Sequence, residues 1–392
     1  MREVAIIGVG LTPWGKFPER SYLDLGVEAT TKALDDAGIK WSEVQAMATA
    51  IYLWGSLLGT VAGQGLANAM GETGIPITNV YNMCATATSA FRSAYQSVAS
   101  GECDIALAVG LDKSPKGFYV YPGFEDKEDI DFIRWKMTGL VNPGYWALEC
   151  RQRMDTYGTT ERHLALAKVA VSKHGALNPL ARYRKIFTEE EVLNSPMVVD
   201  PLRLYMICAT SDGAAAVVLC SLEKARQFTQ KPIVIAAATI ASSLYGDGTL
   251  RLPTLSTPAK ATAPYLSESA ESSRMVYEKA GIGPKDVDVL ELPDNSSWHY
   301  LSYLEILKFS RPGEADRVVE TGVSKVGKTV VCPSGGCSSL GESQSAQGLT
   351  MICELVWQLR GQAGARQVKN AKIGMAQTYG MYGNSGAVIL KV

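Results

Sequence analysis

Apolar residues dominate from Val4 to Val9 and give way at Gly10, the pattern of a short strand buried on both faces. From Ser21 to Ile39 apolar positions recur at helical spacing and Gly38 supplies a stop, so the spacing predicts a helix behind the strand. The same plan returns in SESAESSRMVYEKAGIGPKDVDVLEL. Glu271 stands where Glu28 stood, Ala280-Gly281-Ile282 where Ala37-Gly38-Ile39 stood, and Val287 where Val44 stood, all at one common offset. Each predicted helix leads into an apolar run, VQAMATAIYLW or VDVLELP. Two similar halves of alternating strands and helices predict an α/β fold with mostly parallel sheets covered by helices.

Between the halves the pattern breaks. Residues 112–199 are rich in aromatics, glycine, proline and charge, with helical spacing resuming in TTERHLALAKVAVSKHGALNPLARY. The sheet pattern returns at SDGAAAVVLCS, where Ala214 to Cys220 reads as a buried strand. The organisation expected is a first half of 1–111 plus 200–223, an inserted loop domain of 112–199 over the active site, and a second half of 224–392. An insertion that returns to the same core builds a wall over whatever the core presents.

One cysteine changes the picture. ITNVYNM reads as a strand and TATSAFRSAYQSVASGECD as a helix of small residues, which places Cys84 in the turn between them. A thiol at a helix N-terminus meets free backbone N–H groups and the positive end of the helix dipole, which favour the thiolate. Cys84 is thus a candidate nucleophile, set against the ordinary reading of free cysteine as a small buried hydrophobe.

Composition narrows the partners. The 392 residues are 46% hydrophobic and 20% charged, ordinary for a globular chain with two or three cores. A formal net charge of -1 gives no electrostatic reason to expect nucleic acid or an anionic membrane. The start MREVAIIGVGLTPWG is too short an apolar run for a signal or a membrane span, so a cytoplasmic chain is expected. Its 8 cysteines include no CxxC pair, which predicts reduced thiols and no metal site on this chain.

The order of GVG, NMCATATSA, SDGAAAVVL, ELPDNSS, CPSGGCSSLGES and AQTYGMYGNSGAVIL resembles the thiolase superfamily across essentially the whole chain. NPGYWALECRQRMDTYGTT resembles the branch of sterol-carrier-protein-like thiolases and lipid-transfer-protein aldolases. The resemblance implies a duplicated fold, two five-stranded mixed sheets in a helix-sheet-helix-sheet-helix stack, normally dimeric, with coenzyme A thioesters as substrates. It gives Cys84 the acyl-accepting position.

The departures are informative. Where the branch has His-Asp-Cys-Phe this chain has Pro293-Asp294-Asn295-Ser296, and where thiolases have Gly-His-Pro it has Gly341-Glu342-Ser343. Tyr379 stands near the position of the second acid/base cysteine, and none of the three histidines, His163, His174 and His299, occupies a motif position. Glu342 is then the candidate base for Cys84, Tyr379 or Tyr382 the donor to an enolate, and Asn295 a neutral donor. Backbone N–H groups of Cys84, Gly380 and Gly383 are candidates for an oxyanion hole. Each has a plainer alternative: a helix N-terminal carboxylate for Glu342, a packed aromatic for Tyr379, a helix cap for Asn295. Cys208, Cys332 and Cys337 read as packing residues.

Three functions remain open on this scaffold: thiolysis of a 3-oxoacyl-CoA through an acyl-cysteine, retro-aldol cleavage of a 3-hydroxyacyl-CoA, and noncatalytic acyl-CoA binding. The retained Cys84 favours thiolysis. The absent histidines resemble the benzoylsuccinyl-CoA thiolases, which act in anaerobic toluene degradation; Phe132, Trp135, Tyr145 and Trp146 would then wall an aryl pocket, with Arg134 and Lys136 beside it. The resemblance further implies a homodimeric core and a small OB-fold partner subunit carrying a zinc ribbon.

Overall fold

The computed structural model describes residues 1–51, 59–114, 133, 136, 139, 142–229, 231–244, 267–381 and 383–392. The strands are β1 (Val4–Leu11), β2 (Ala46–Ala50), β3 (Ile77–Val80), β4 (Ile105–Lys113), β5 (Met197–Val199), β6 (Leu202–Arg203), β7 (Asp212–Ser221), β8 (Ile233–Ser242), β9 (Val289–Glu291), β10 (Lys325–Val326), β11 (Thr329–Val331), β12 (Ile373–Gly380) and β13 (Asn384–Lys391). The helices are α1 (Tyr22–Ala37), α2 (Ala62–Met70), α3 (Thr86–Ser100), α4 (Asn142–Tyr157), α5 (Glu161–Gly175), α6 (Glu189–Leu193), α7 (Leu222–Ala225), α8 (Ser267–Ala280), α9 (Ser297–Ile306), α10 (Ala315–Glu320), α11 (Gly336–Leu340) and α12 (Gln347–Arg360).

The duplication expected from the sequence is visible in strand order and sense. The first half runs β3-β2-β4-β7-β1 and the second β11-β9-β12-β13-β8. In each, two parallel pairings are followed by two antiparallel ones. The sheets are therefore mixed, as the family resemblance implies, and less parallel than alternation alone predicted. Helix signals match too: Gly38 ends α1 at φ 68 and Gly281 follows α8 at φ 63, the left-handed conformation glycine adopts without a Cβ clash. Short 3-10 turns at Trp41–Glu43 and Pro284–Asp286 then lead into β2 and β9. Ser21 and Asp24 close a capping box at the start of α1.

One detail differs from two separate sheets. The inner edges β1 and β8 pair antiparallel at Ala5–Val234 and Ile6–Ile233, and β10 extends the far edge, so among the described residues eleven strands form one continuous sheet. The contact is short, two residue pairs at the start of each strand, and it links the sheets of the two halves.

Side chains of β1 alternate between two cores. Val4, Ile6, Val9 and Leu11 face the larger one, with Phe91 of α3 and Ile352 and Val356 of α12. Ala5 and Ile7 face the smaller one, with Leu25, Ala29 and Ala33 of α1. The alternation changes phase at the register shift between Ile6 and Gly8, and burial of both faces is why β1 reads as an apolar run and not as an alternating strand.

α3 and α12 bring the halves together at very short range. A Cβ on Gly348 would lie 2.2 Å from Thr88 Oγ1 and 3.0 Å from the Thr88 backbone nitrogen. Thr88 Oγ1 is itself hydrogen-bonded to Thr378 Oγ1 at 2.8 Å. Gly348→Ala should therefore destabilise by about 1–3 kcal/mol through overpacking, read as a lower urea midpoint at unchanged m-value. Thr88→Ala, which removes the nearest clashing atom, should recover part of that loss in the double variant; full additivity of the two losses would refute the close-approach explanation.

Candidate active site

The turn after β3 presents the candidate nucleophile. Met83 holds φ 49, a conformation that is strained for a residue with a side chain. It is held by Ala85 N–H to the Asn82 carbonyl at 3.1 Å and Thr86 N–H to the Met83 carbonyl at 3.0 Å. The Asn82 N–H donates to Thr86 Oγ1 at 2.7 Å. α3 begins at Thr86 with no side-chain cap, so Cys84 sits just before the open end of a helix, where the sequence pattern puts it. Its side chain is buried, 5% exposed.

Glu342 lies opposite. Cys84 Sγ donates to Glu342 Oε1 at 3.4 Å, and Cys208 Sγ donates to Glu342 Oε2 at 3.0 Å. The carboxylate is wholly buried, at 0% exposure, and its backbone is pinned on both sides. Glu342 N–H donates to the Ala209 carbonyl at 2.8 Å, and Ser211 N–H to the Glu342 carbonyl at 2.7 Å. Gly341 makes this possible: at φ 103, a Cβ there would lie 2.1 Å from Ser211 Oγ. Glu342 follows α11 and precedes α12, so it is not the helix N-terminal carboxylate of the plainer reading.

The electrostatics of Cys84 correct the expectation of a thiol lowered by a helix dipole. Burial pushes its pKa well above the ordinary thiol value, and the neighbouring Glu342 carboxylate raises it further. Desolvation and a nearby negative charge both disfavour a thiolate. Cys208 is raised by the same two causes in the same order. The resting pair is thus a thiol and an acceptor.

Asn295 joins this cluster without capping α9, because Ser296 is the cap and its side chain accepts from His299 N–H. The Asn295 carbonyl accepts from Cys208 N–H at 2.9 Å. Its Oδ1 accepts from Gln347 Nε2 at 3.3 Å, and the same nitrogen meets Cys337 Sγ at 3.0 Å. Gly380 ends β12, and a Cβ there would lie 2.7 Å from the Asn82 carbonyl, so its backbone lies against the Cys84 turn. Gly383, at φ 74, faces Ser243, with a Cβ position 2.2 Å from Ser243 Oγ.

Tyr379, one residue before Gly380, is buried in an aromatic group. Its ring centroid is 5.5 Å from His299 and 6.2 Å from Tyr303, and His299 is 4.9 Å from Trp146 and 4.4 Å from Trp298. Burial raises the Tyr379 pKa and Cys84 raises it further, whereas the Trp146 side chain acts in the opposite direction. No partner meets full hydrogen-bond geometry at the Tyr379 hydroxyl among the described residues. Tyr145, next to Trp146 on α4, is buried in the same large core. Lys136 is exposed, and Phe132, Arg134, Trp135 and Tyr382 lie outside the described residues.

Two residues of the site escape sequence reasoning. Cys208 reads as packing in the sequence, yet it shares Glu342 with Cys84 across a separation of 134 residues, which no local pattern reveals. His299 lacks a motif position, yet it sits in the first turn of α9 against Tyr379 and Trp146. Among the described residues there is no group of three or more metal-ligating side chains, and no helix long and apolar enough to cross a membrane.

Comparison with known proteins gives the geometry its family. Residues 4–223 match the thiolase N-terminal domain and residues 256–391 the thiolase C-terminal domain-like model. The chain is 35% identical to the acetyl-CoA acetyltransferase of Methanothermobacter thermautotrophicus over 99% of each chain. It is 32% identical to the benzoylsuccinyl-CoA thiolase subunit BbsB of Thauera aromatica, over 94% of this chain and 92% of that one. A solved Ltp2-ChsH2(DUF35) aldolase superposes with TM-score 0.82 at 25% identity, covering 100% of this chain and 98% of that one. With both thiolase domain models spanning the chain and relatives of this similarity along its full length, the chain belongs to the thiolase family of acyltransferases.

Proposed function

We propose that the chain cleaves a bulky or aromatic 3-oxoacyl-CoA, of the benzoylsuccinyl-CoA kind, by coenzyme A-dependent thiolysis through an acyl-Cys84 intermediate. The observation that carries this reading is the buried contact of Cys84 Sγ with Glu342 Oε1 at 3.4 Å. It pairs a nucleophile with a base where the usual histidine is absent.

The steps follow from the residues. Glu342 takes the Cys84 proton as the sulfur attacks the C3 ketone. The C2–C3 bond then breaks, its electron pair moves into the thioester enolate, and the proton held by Glu342 is delivered to C2. Coenzyme A next attacks the acyl-cysteine, gives its thiol proton to Glu342, and Cys84 leaves and is reprotonated from the same carboxylate. Tyr379, whose raised pKa keeps its proton in place, donates a hydrogen bond to the enolate oxygen without ionising. Backbone N–H groups of Cys84 and Gly380 and the amide of Asn295 are the remaining candidate donors, and Gly383 would support their turn.

The assembly belongs to the same reading. Residues 112–199 would form a wall over the site, and the contact of Trp146 with His299 supports this; Tyr145 and Trp146 would then border the acyl pocket. We take the assembly to be a cytoplasmic homodimeric core joined by a small OB-fold subunit carrying a zinc ribbon, supported by the similarity to an aldolase whose name includes a DUF35 partner.

Three outcomes test these statements. Cys84→Ala should abolish coenzyme A-dependent cleavage of 3-oxoacyl-CoAs, and with it an acyl adduct detected by mass spectrometry on the Cys84 peptide. Cleavage of the corresponding 3-hydroxy thioester that survives this substitution would make the protein a retro-aldolase, and absence of any turnover with intact binding would make it a noncatalytic acyl-CoA-binding subunit.

Glu342→Gln separates base from electrostatics. Because the carboxylate raises the Cys84 pKa, its neutralisation should lower that pKa and speed iodoacetamide labelling of Cys84 at pH 8. Turnover should nevertheless fall about 10²–10⁴-fold with the base gone. Slower labelling would show that Glu342 promotes thiolate formation at rest, the opposite of what a neighbouring negative charge does. For the partner, co-expression with neighbouring reading frames followed by size-exclusion and metal analysis should yield a zinc-containing hetero-oligomer; a fully active, zinc-free homodimer would remove that proposal.

A further inference from the structure

His299 is a buried titratable group that this chemistry leaves unused. It is 1% exposed, and its two ring nitrogens differ in their surroundings. Nδ1 lies 2.8 Å from Ser296 Oγ. The Ser296 oxygen also accepts from His299 N–H at 3.3 Å, and among the described residues the serine hydroxyl has no other acceptor than Nδ1. The serine therefore donates to Nδ1, which puts the ring proton on Nε2. That assignment follows from the hydrogen-bond network. Nε2 has no partner among the described residues.

A second unmet donor lies on the facing ring. The Trp146 indole, which can only donate, acts on the Tyr379 oxygen, so the Tyr379 O–H has no acceptor among the described residues, and the two ring centroids are 5.5 Å apart at an interplanar angle of 35°. Tyr379 precedes Gly380, whose backbone lies against the Cys84 turn. Buried donors are nearly always paired in folded proteins, and unpaired ones call for a ligand, a water or a catalytic role. Two on touching rings beside a nucleophile point to one shared acceptor.

We propose that His299 Nε2–H and Tyr379 Oη–H form a neutral side-chain donor pair that holds the thioester oxygen of the substrate, taking the place of the histidine missing at Pro293. The geometry needs an uncharged imidazole, and burial supplies one by lowering the His299 pKa to about 3. A neutral N–H strengthens its bond as the oxygen becomes enolate-like, and it introduces no cation into the buried site. This inference deepens the function proposed above and rests on it for the identity of the oxygen.

The test uses the full chain and its fastest 3-oxoacyl-CoA substrate. His299→Phe keeps the ring and removes the donor, and kcat should fall about 10²-fold with KM changed less than threefold. His299→Gln returns an N–H and should recover at least tenfold of that loss. Turnover of His299→Phe within threefold of wild type, or equal loss in both variants, would overturn the pair. A readout independent of these variants folding is side-chain ¹⁵N NMR of histidine in the Cys84→Ala protein, where only three histidines contribute. At saturating acetoacetyl-CoA the Nε2–H resonance of His299 should move downfield, and an unmoved resonance counts against the proposal. Failure of wild type to form an acyl adduct on Cys84 sinks thiolysis alone; the Phe-to-Gln comparison still reports on the donor pair, because retro-aldol cleavage passes through the same thioester enolate.

Discussion

The Glu342 carboxylate, buried between the thiols of Cys84 and Cys208, is the interaction on which the site depends. A carboxylate taken out of water is costly unless donors meet its oxygens, and here each oxygen meets one. Three separate parts of the chain must converge for that to happen: the β3–α3 turn, the segment returning before β7, and the connection between α11 and α12. Glycine at 341 and the backbone bridge of Glu342 to Ala209 and Ser211 fix the last two together. The glycine at 348 lets α12 approach α3 closely enough to bring the first into place. Local backbone shape, the junction of the two halves and the proposed chemistry are thus one constraint seen at three scales.

Much of the fold is legible in the sequence because duplication repeats its own signals. Gly38 and Gly281, the 3-10 turns after them, and the corresponding strands β2 and β9 carry the same marks at one offset, so two units are legible along the chain itself. The joining of β1 to β8 is not legible. It is an edge contact of two residue pairs between strands already hydrophobic on both faces, and a continuous apolar run says nothing about which neighbour lies beside it.

The site is legible in part for the same kind of reason. Cys84 can be placed because a strand, a turn and a helix flank it in order. Glu342 and Tyr379 emerge from departures at motif positions. Cys208 and His299 cannot be found in this way, since their importance comes from partners far along the chain and from an unmet hydrogen bond, neither of which leaves a periodic trace. Sequence alone gives the wrong direction for the Cys84 pKa for a related reason: the helix end is a local feature of sequence, whereas the desolvation and the carboxylate that raise the pKa are products of tertiary packing.

Replacing an imidazole by a carboxylate changes more than the identity of the base. A thiol beside an imidazole can rest as an ion pair, with nucleophile and proton already separated. A thiol beside a carboxylate cannot, because passing the proton across leaves a thiolate with no opposite charge beside it, and losing the proton from the pair leaves two buried negative charges together. The proton must then leave as the sulfur attacks, when the new C–S bond disperses the charge onto an oxygen that neutral donors can hold. Such a site has no use for cationic donors: a cation near Glu342 would lower its basicity and the thiol pKa together. A buried amide, a phenol that keeps its proton and an imidazole held neutral by burial fit that requirement as a set. The same arrangement leaves the resting sulfur as a thiol, and since oxidation follows thiolate character and exposure, it would also shield the proposed nucleophile, Cys84, from oxidation.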